Sequence, residues 1–123
     1  MCNEFVIQTH SGFGPTHYDL MLRQADTLVT WQLSQSPQGI CEGQTIASKR
    51  LADHRLAYLT YEGPVSGARG RVSILDKGTY ELKAATDSYW DFRLHGRLLN
   101  SRFALRRQGE NADEWEFRRT GED

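Results

Sequence analysis

The chain has 123 residues, which is the size of a single domain. Hydrophobic residues make up 38% and charged residues 25%, which excludes a wholly disordered chain because enough apolar surface can be buried to offset chain entropy. The formal net charge of −1 provides no overall attraction to nucleic acid, so such a partner would have to be held by a local site.

Membrane and disulfide patterns are absent from the sequence. No apolar stretch approaches the roughly 20 residues that a membrane helix needs, and the first residues show no basic patch followed by an apolar run. Cys2 and Cys41 are the only cysteines, and they form no close-spaced pair of the kind that binds zinc or exchanges disulfides. We therefore predict a cytoplasmic protein with two reduced thiols and no membrane contact.

Short alternating segments, rich in β-branched and aromatic residues, predict strands along the whole chain. The predicted strands are residues 4–10, 17–24, 27–33, 45–51, 71–75, 79–84, 89–95, 102–107 and 115–118. Polar connections at residues 76–78 and 96–101 predict tight hairpin turns, and helix is expected only for a turn or two around residues 53–58. The pattern predicts an all-β, mainly antiparallel fold: a small closed or nearly closed β-barrel with at most one or two short helices.

Residues 1–123 are predicted to form one domain, since the sequence contains no internal repeat and no linker. Three longer or glycine-rich loops, residues 11–16, 35–43 and 63–70, are either functional loops or simple connections. From residue 109 onward acidic and basic residues alternate, and we expect about 109–123 to form a partly disordered tail.

Two histidines and an aspartate lie near the junction of the first two predicted strands. Because side chains alternate along a strand, His17 and Asp19 share one face, Met21 continues that row, and Gln8 shares a face with His10. Two imidazoles and a carboxylate from neighbouring strands can hold Mn²⁺, Zn²⁺ or Fe²⁺. The same residues can also be ordinary solvent-facing strand residues, and their spacing does not decide between the two.

A second candidate group is His54 with Tyr58, four residues later. This spacing places both side chains on one face, where they can orient an anion and where the histidine can donate a proton to a leaving oxygen. The alternative is a packed tyrosine beside an exposed histidine. His95 has no second potential ligand nearby and is predicted to be a structural or surface residue.

Five arginines and no acidic residue occupy the stretch from residue 93 to residue 107. Arginine presents a planar set of donors that matches phosphate oxygens, so Arg93 and Arg102 are candidate substrate-binding residues. A solvated strand face is the alternative, because the acidic residues from Glu110 onward can neutralise the block.

Several motifs, taken in order, carry a family resemblance. They are Phe5-Val6-Ile7-Gln8-Thr9-His10, His17-Tyr18-Asp19, Asp53-His54-Arg55-Leu56-Ala57-Tyr58 with Glu62-Gly63, Asp76-Lys77-Gly78-Thr79-Tyr80-Glu81, and Phe92-Arg93-Leu94-His95-Gly96 with Arg102-Phe103-Ala104-Leu105. In this order the set resembles the 3′-phosphoesterase domain of bacterial ATP-dependent DNA ligase D.

The resemblance implies a β-barrel enzyme that trims 3′ ends of DNA during end joining and repair. Such enzymes use Mn²⁺ to remove a terminal ribonucleoside and then the remaining 3′-phosphate. By the same resemblance, the metal ligands would be His10, His17 and Asp19. His54 and Tyr58 would lie at the reacting phosphate, and Gln8, which matches the glutamine before the family's first histidine, would be a substrate-binding residue.

The chain also departs from the family pattern. The strand position where the family has a phosphate-binding arginine is Met21, and two further basic positions match Gln35 and Ile46. A thioether cannot bind phosphate. Arg23 lies two residues beyond Met21 on the same face, about 7 Å further along the strand, and is predicted to reach back as a catalytic replacement.

These features predict a Mn²⁺-dependent phosphoesterase-like enzyme that acts on the 3′ ends of a primer-template, including an end with a 3′ ribonucleotide, with weakened activity. A separate ligase or polymerase would join the ends. The alternatives are a non-catalytic module that binds metal and nucleic-acid ends, and a phosphoesterase for a small phosphate ester. Zn²⁺ or another divalent ion is the alternative metal.

Overall fold

The computed structural model describes residues 3–121, which are almost wholly β-strand. In chain order the strands are β1 (Glu4–Ser11), β2 (His17–Gln24), β3 (Thr27–Leu33), β4 (Thr45–Arg55), β5 (Gly63–Pro64), β6 (Arg71–Ala85), β7 (Tyr89–Gly96), β8 (Arg102–Arg107) and β9 (Glu114–Gly121). A single turn of 3₁₀ helix, Leu56–Leu59, follows β4. This turn begins later than the predicted residues 53–58, because β4 continues to Arg55.

Pairing between neighbouring strands is antiparallel throughout, in the order β1-β2-β3-β4-β9-β8-β7-β6. The pairing of β1 with β6, from Glu4 opposite Thr79 to Ser11 opposite Arg71, joins the two ends of this order. The two-residue strand β5 pairs with the start of β6. The predicted all-β antiparallel barrel is therefore confirmed, and its eight strands form a closed barrel.

Aromatic side chains fill the interior of the barrel. Trp31 is fully buried, and its ring centroid lies 5.1 Å from that of Trp90 and 5.6 Å from that of Trp115. Leu20 and Leu22 also belong to this core, as the alternation along β2 predicts. A register slip of one residue would turn these side chains to the outside, so the core fixes which side chains of β2 face outward.

A second apolar cluster lies on the outer face of β1, β2 and β3. Val6, Met21 and Leu28 alternate with the interior residues of their strands and are nevertheless fully buried. They are covered by partly buried side chains from the 3₁₀ turn and β6: Leu56, Tyr58, Leu59 and Ile74. The segment after β4 is thereby held against the outside of the barrel, near the strand that carries His17 and Asp19.

The prediction of a hairpin turn at residues 76–78 is wrong, because β6 runs through these residues without a break. Asp76 is fully buried and accepts backbone hydrogen bonds from Lys77, Arg97, Leu98 and Leu99. Its carboxylate thus holds the connection between β7 and β8, at the point where β6 exchanges β1 for β7 as its partner. The turn predicted at residues 96–101 is confirmed by the hydrogen bond from the Gly96 amide to the Leu99 carbonyl.

Part of the tail that we predict to be disordered is ordered in the structure. Glu114–Gly121 forms β9, which lies between β4 and β8. Trp115 and Phe117 hold this strand because both side chains are buried in the core. Residues 122 and 123, like Cys2, lie outside the described residues. Cys41 is an exposed free thiol, and no helix within residues 3–121 is long and apolar enough to cross a membrane.

Candidate metal and phosphate site

The structure brings His10, His17 and Asp19 together on the outer face of the barrel. His10 and His17 face each other across the β1–β2 pair, with ring centroids 4.6 Å apart. Asp19 lies two residues along β2, on the same face as His17. One potential ligand atom from each of the three residues lies within 4.8 Å of the others.

Backbone carbonyls orient both imidazoles. Nε2 of His10 lies 2.6 Å from the carbonyl oxygen of Arg69, and Nδ1 of His17 lies 3.3 Å from that of Pro15. Because a carbonyl only accepts, these nitrogens carry the hydrogen, which leaves a lone pair on Nδ1 of His10 and on Nε2 of His17. Hydrogen bonds of this kind fix the tautomer and orientation of metal-binding histidines.

The carbonyls of Pro15 and Arg69 belong to two of the three longer loops, residues 11–16 and 63–70. These loops approach each other closely at Gly70, where an added Cβ would lie 2.1 Å from the carbonyl oxygen of Ser11. Gly70 also has a φ of +79°, which favours glycine. Contact between the loops therefore positions the carbonyl of the preceding residue, Arg69, against His10.

The Asp19 carboxylate is buried without full hydrogen bonding. Asp19 is only 5% exposed, and its Oδ1 has no hydrogen-bond partner within residues 3–121. Nε2 of His17 lies 3.7 Å from this oxygen, beyond hydrogen-bonding distance. Burial raises the pKa of Asp19, while the charges of His17, His54 and His10 act to lower it.

This arrangement fits a divalent cation. A buried carboxylate oxygen that lacks a donor is costly in a protein, and a cation held jointly with two imidazole lone pairs would satisfy it. Two nitrogens and one oxygen are ligands that Mn²⁺, Zn²⁺ and Fe²⁺ accept. The residues present at this site therefore match the metal that the family resemblance implies.

His54 and Tyr58 lie beside this group of residues. Their ring centroids are 5.4 Å apart at an angle of 74°. Nδ1 of His54 lies 3.0 Å from the Ala52 carbonyl, so Nδ1 carries the hydrogen and Nε2 is available to another partner. His54 is near enough for its charge to lower the pKa of Asp19, which brings the second candidate group into the same site.

Gln8 does not face the solvent as a substrate-binding residue would. It is 1% exposed, and its Nε2 donates hydrogen bonds to the carbonyl oxygens of Tyr58, at 3.0 Å, and Tyr61, at 2.9 Å. The assignment of Gln8 as a substrate contact therefore needs correction, because both amide hydrogens are used within the protein. Gln8 fixes the backbone that carries the tyrosines.

Arg23 does not reach back to the site. Its Nη1 donates to Glu4 at 3.1 Å, and its Nε donates to the Ala25 carbonyl at 2.9 Å. These bonds hold the guanidinium at the far end of β2 from His17, since β2 runs from His17 to Gln24. The prediction that Arg23 replaces the missing family arginine is therefore wrong in this structure.

Arg93 and Arg102 lie on strands that do not carry the three candidate ligands. They face each other across β7 and β8, and neither strand pairs with β1 or β2. Arg102 donates two hydrogen bonds to Asp91, and Arg93 donates to the Asn100 carbonyl. Both arginines therefore act within their own sheet face, which corrects their assignment as substrate-binding residues at this site. His95 is a surface residue bonded to Glu81.

The positions that lack the family's basic residues have different structural roles. Met21 is buried in the outer apolar cluster, and Ile46 is buried in the barrel core. Gln35 is exposed in the loop after β3. An arginine at Met21 or Ile46 would bury its charge in an apolar environment, which is costly, so neither position can supply a phosphate ligand in this packing.

A lysine that sequence reasoning missed lies on the same outer face. Asp19 pairs with Gln32 across β2 and β3, and Gln32 pairs with Lys49 across β3 and β4. Lys49 is exposed, and its side chain makes no hydrogen bond or ion pair with another described residue. A groove of about 190 Å³ covers this row, lined by Gln32, Ser34, Ala47, Ser48 and Lys49. The strand register, which the sequence alone did not provide, was the signal needed to find it.

Fold and site together define a small antiparallel β-barrel with a candidate metal site and a histidine-tyrosine pair on its outer wall. The family model for the DNA ligase D 3′-phosphoesterase domain matches residues 8–107. The chain belongs to this family, which confirms the resemblance inferred from the motifs and supports a phosphoesterase role. A search of curated proteins found no match.

Proposed function

We propose that the protein is a Mn²⁺-dependent phosphoesterase that acts on 3′ ends of DNA in end joining and repair. It would remove a 3′-terminal ribonucleoside and then the remaining 3′-phosphate. The observation that carries the proposal is the buried Oδ1 of Asp19, which has no partner among the described residues and faces Nε2 of His17. Membership of the phosphoesterase family supports the same chemistry.

In this mechanism His10, His17 and Asp19 would hold the cation. A divalent ion at such a site polarises a phosphoryl oxygen and lowers the pKa of water. The carbonyls of Arg69 and Pro15 keep the two imidazoles in the tautomers that this task needs. The protein thus supplies a ligand set that is oriented before the metal binds.

His54 would act on the phosphate itself. With Nδ1 bonded to the Ala52 carbonyl, Nε2 can donate a hydrogen bond to a phosphoryl oxygen, or a proton to the leaving oxygen, when the ring is protonated. The neighbouring Tyr58 ring limits the orientations of His54, and its hydroxyl is a further donor near the same anion.

Lys49 would supply the positive charge that the family pattern places on an arginine. Its Cα lies two strand spacings from that of Asp19, about 10 Å, and its long flexible side chain carries a point charge with three donors. Gln32 and Lys49, which line the groove, lie in the same row of paired residues as Asp19. A phosphate bound near Asp19 would therefore have one basic side chain, that of Lys49, within reach.

A second candidate function is binding of metal and nucleic-acid ends without turnover. The burial of Met21 and the internal bonds of Arg23 favour it, because two expected phosphate contacts are missing. Hydrolysis of a small phosphate ester is the third possibility, and it requires fewer phosphate contacts. The cytoplasmic location, and the action of a separate ligase or polymerase on the product, stay predictions.

The test is cleavage of a primer-template that carries one 3′-terminal ribonucleotide, with and without Mn²⁺, by wild type and His17→Ala. Shortening that needs both Mn²⁺ and His17 is the expected result. Binding of the 3′ end without shortening would favour the non-catalytic module. Hydrolysis of small esters with no preference for DNA would favour the third function.

A further inference from the structure

We propose that the pocket between Tyr58 and Tyr61 is a nucleobase site. The pocket measures about 250 Å³ and is lined by Arg55, Ala57, Tyr58, Tyr61, Pro64 and Val65. None of these residues except Tyr58 has a part in the phosphate chemistry described above. The inference rests on the proposed function, since the base would be that of the terminal nucleotide.

The shape and chemistry of the pocket suit a flat aromatic ligand. The two tyrosine rings have centroids 5.9 Å apart and are inclined at 78°, so one ring can stack on a base while the other meets its edge. Aromatic side chains bind bases of any sequence in this way, because every base has a π face. Arg55 adds a positive charge at the same pocket, where its guanidinium can stack on the face of a base.

The pocket is already built in the free protein. Gln8 donates to the backbone carbonyls of both tyrosines, and the Tyr61 hydroxyl donates to the Pro64 carbonyl. At Gly63, φ is +140° and an added Cβ would lie 3.1 Å from the Tyr61 hydroxyl oxygen. Tyr61 nevertheless remains 37% exposed, so an ordered ring is presented to solvent. Such preorganisation lowers the entropic cost of binding.

The position of the pocket relates the base to the reacting phosphate. The Tyr58 ring lies next to both other rings, with its centroid 5.4 Å from that of His54 and 5.9 Å from that of Tyr61. A base against Tyr61 would therefore place its sugar and phosphate towards His54 and the candidate metal ligands. A single 3′-terminal nucleotide is a ligand that could reach both places, with its base at Tyr61 and its phosphate at His54.

Binding of adenosine 3′-monophosphate and of inorganic phosphate, measured by calorimetry without metal, tests the proposal. We expect the nucleotide to bind wild type at least about fivefold more tightly than phosphate does, in keeping with the energy of one base stack. Tyr61→Ala should remove this difference and leave phosphate binding unchanged, whereas Tyr61→Phe should retain most of it. Tyr89→Ala, which changes a tyrosine of β7 that does not line this pocket, is the matched control and should behave as wild type.

Equal binding of the nucleotide by wild type and Tyr61→Ala would overturn the proposal. If Tyr61→Ala does not fold, as judged by circular dichroism, the proposal is tested instead by comparing the binding of adenosine and of ribose to wild type. Equal binding of these two probes would also overturn the proposal. If the primer is cleaved but nucleotide binding does not depend on Tyr61, only the nucleobase site is refuted. If nucleotide binding depends on Tyr61 but no primer is cleaved, only the enzymatic function is refuted.

Discussion

The side-chain amide of Gln8 donates a hydrogen bond to the backbone carbonyl of Tyr58 at 3.0 Å, across 50 positions of sequence. A second bond from the same nitrogen reaches the Tyr61 carbonyl at 2.9 Å. One side chain of the first strand therefore holds the segment whose rings lie beside His54. Gln8 serves the site without touching substrate.

We expect Gln8→Ala to reduce both stability and turnover. Two carbonyls near the outer apolar cluster would lose their donor, which should lower the free energy of unfolding by about 1–3 kcal/mol. Turnover should fall because Tyr58 and His54 lose their fixed placement, while Mn²⁺ affinity stays close to that of wild type. Urea unfolding, kcat and metal titration measure the three effects, with exposed Gln38→Ala as the control. Normal turnover in Gln8→Ala, or loss of its metal binding, would contradict this role.

Asp19→Asn should separate metal binding from stability. Burial raises the pKa of Asp19 above 3.8, so the folded state holds its proton more tightly than the unfolded state does. The metal-free wild type should therefore lose stability as pH rises from about 3.8 through the raised pKa. The asparagine variant lacks this loss, and it should be the more stable protein at neutral pH without metal.

Added Mn²⁺ should reverse that order. At about 100 times its Kd, a ligand that binds only the folded state adds about 2.7 kcal/mol of stability, and only wild type should gain it. Thermal unfolding at several pH values, with Mn²⁺ and with a chelator, measures both effects. Equal Mn²⁺ stabilisation of the two proteins would remove Asp19 from the ligand set.

Lys49→Ala should weaken DNA binding more than Arg23→Ala does. Lys49 has no partner among the described residues, whereas Arg23 is bonded to Glu4 and Ala25. If Lys49 contacts one phosphate, its loss should lower the slope of log affinity against log salt by about 1. Affinity for a 3′-phosphorylated primer-template at several salt concentrations gives this slope, and Lys83→Ala is the matched control. A normal slope for Lys49→Ala, with a reduced one for Arg23→Ala, would restore the role first predicted for Arg23.

Asp76→Ala should destabilise the barrel by about 3 kcal/mol or more, because buried backbone amides would lose a charged acceptor. The amides belong to Lys77, Arg97, Leu98 and Leu99. Asp76→Asn retains a carbonyl acceptor in the same volume and should cost less. Urea unfolding of both variants measures the difference, and the prediction fails if alanine is tolerated as well as asparagine.

Strand alternation predicted β2 and β3 to the residue, because each has one face in the core and neither is interrupted. It failed at residues 76–78, where an aspartate, a lysine and a glycine have the composition of a turn. Asp76 there satisfies distant amides, and Gly78 lies so close to the His95 carbonyl that a Cβ would be 2.1 Å from its oxygen. Both causes are contacts between strands that are remote in sequence.

In the candidate site, too, local sequence patterns were informative, whereas contacts between distant strands could not be predicted. Local parity made His10, His17 and Asp19 candidate ligands, since they lie on two consecutive strands, but it did not decide between a metal site and solvent-facing residues. Arg23 was misassigned because its neighbour across the pair, Glu4, becomes apparent only when β1 and β2 are in register. Lys49 needed the register of three strands.

The order in which the barrel assembles follows from its closure between β1 and β6. The candidate ligands belong to a single hairpin, so they can meet as soon as that hairpin forms, on the microsecond scale of such structures. The carbonyl that orients His10 comes from Arg69, 59 positions later, and closure waits for residues up to Thr79. Contacts between distant residues form slowly. During synthesis on the ribosome, the ligand set would therefore exist before its orientation is fixed, and His10 would be the last of the three to reach its working position.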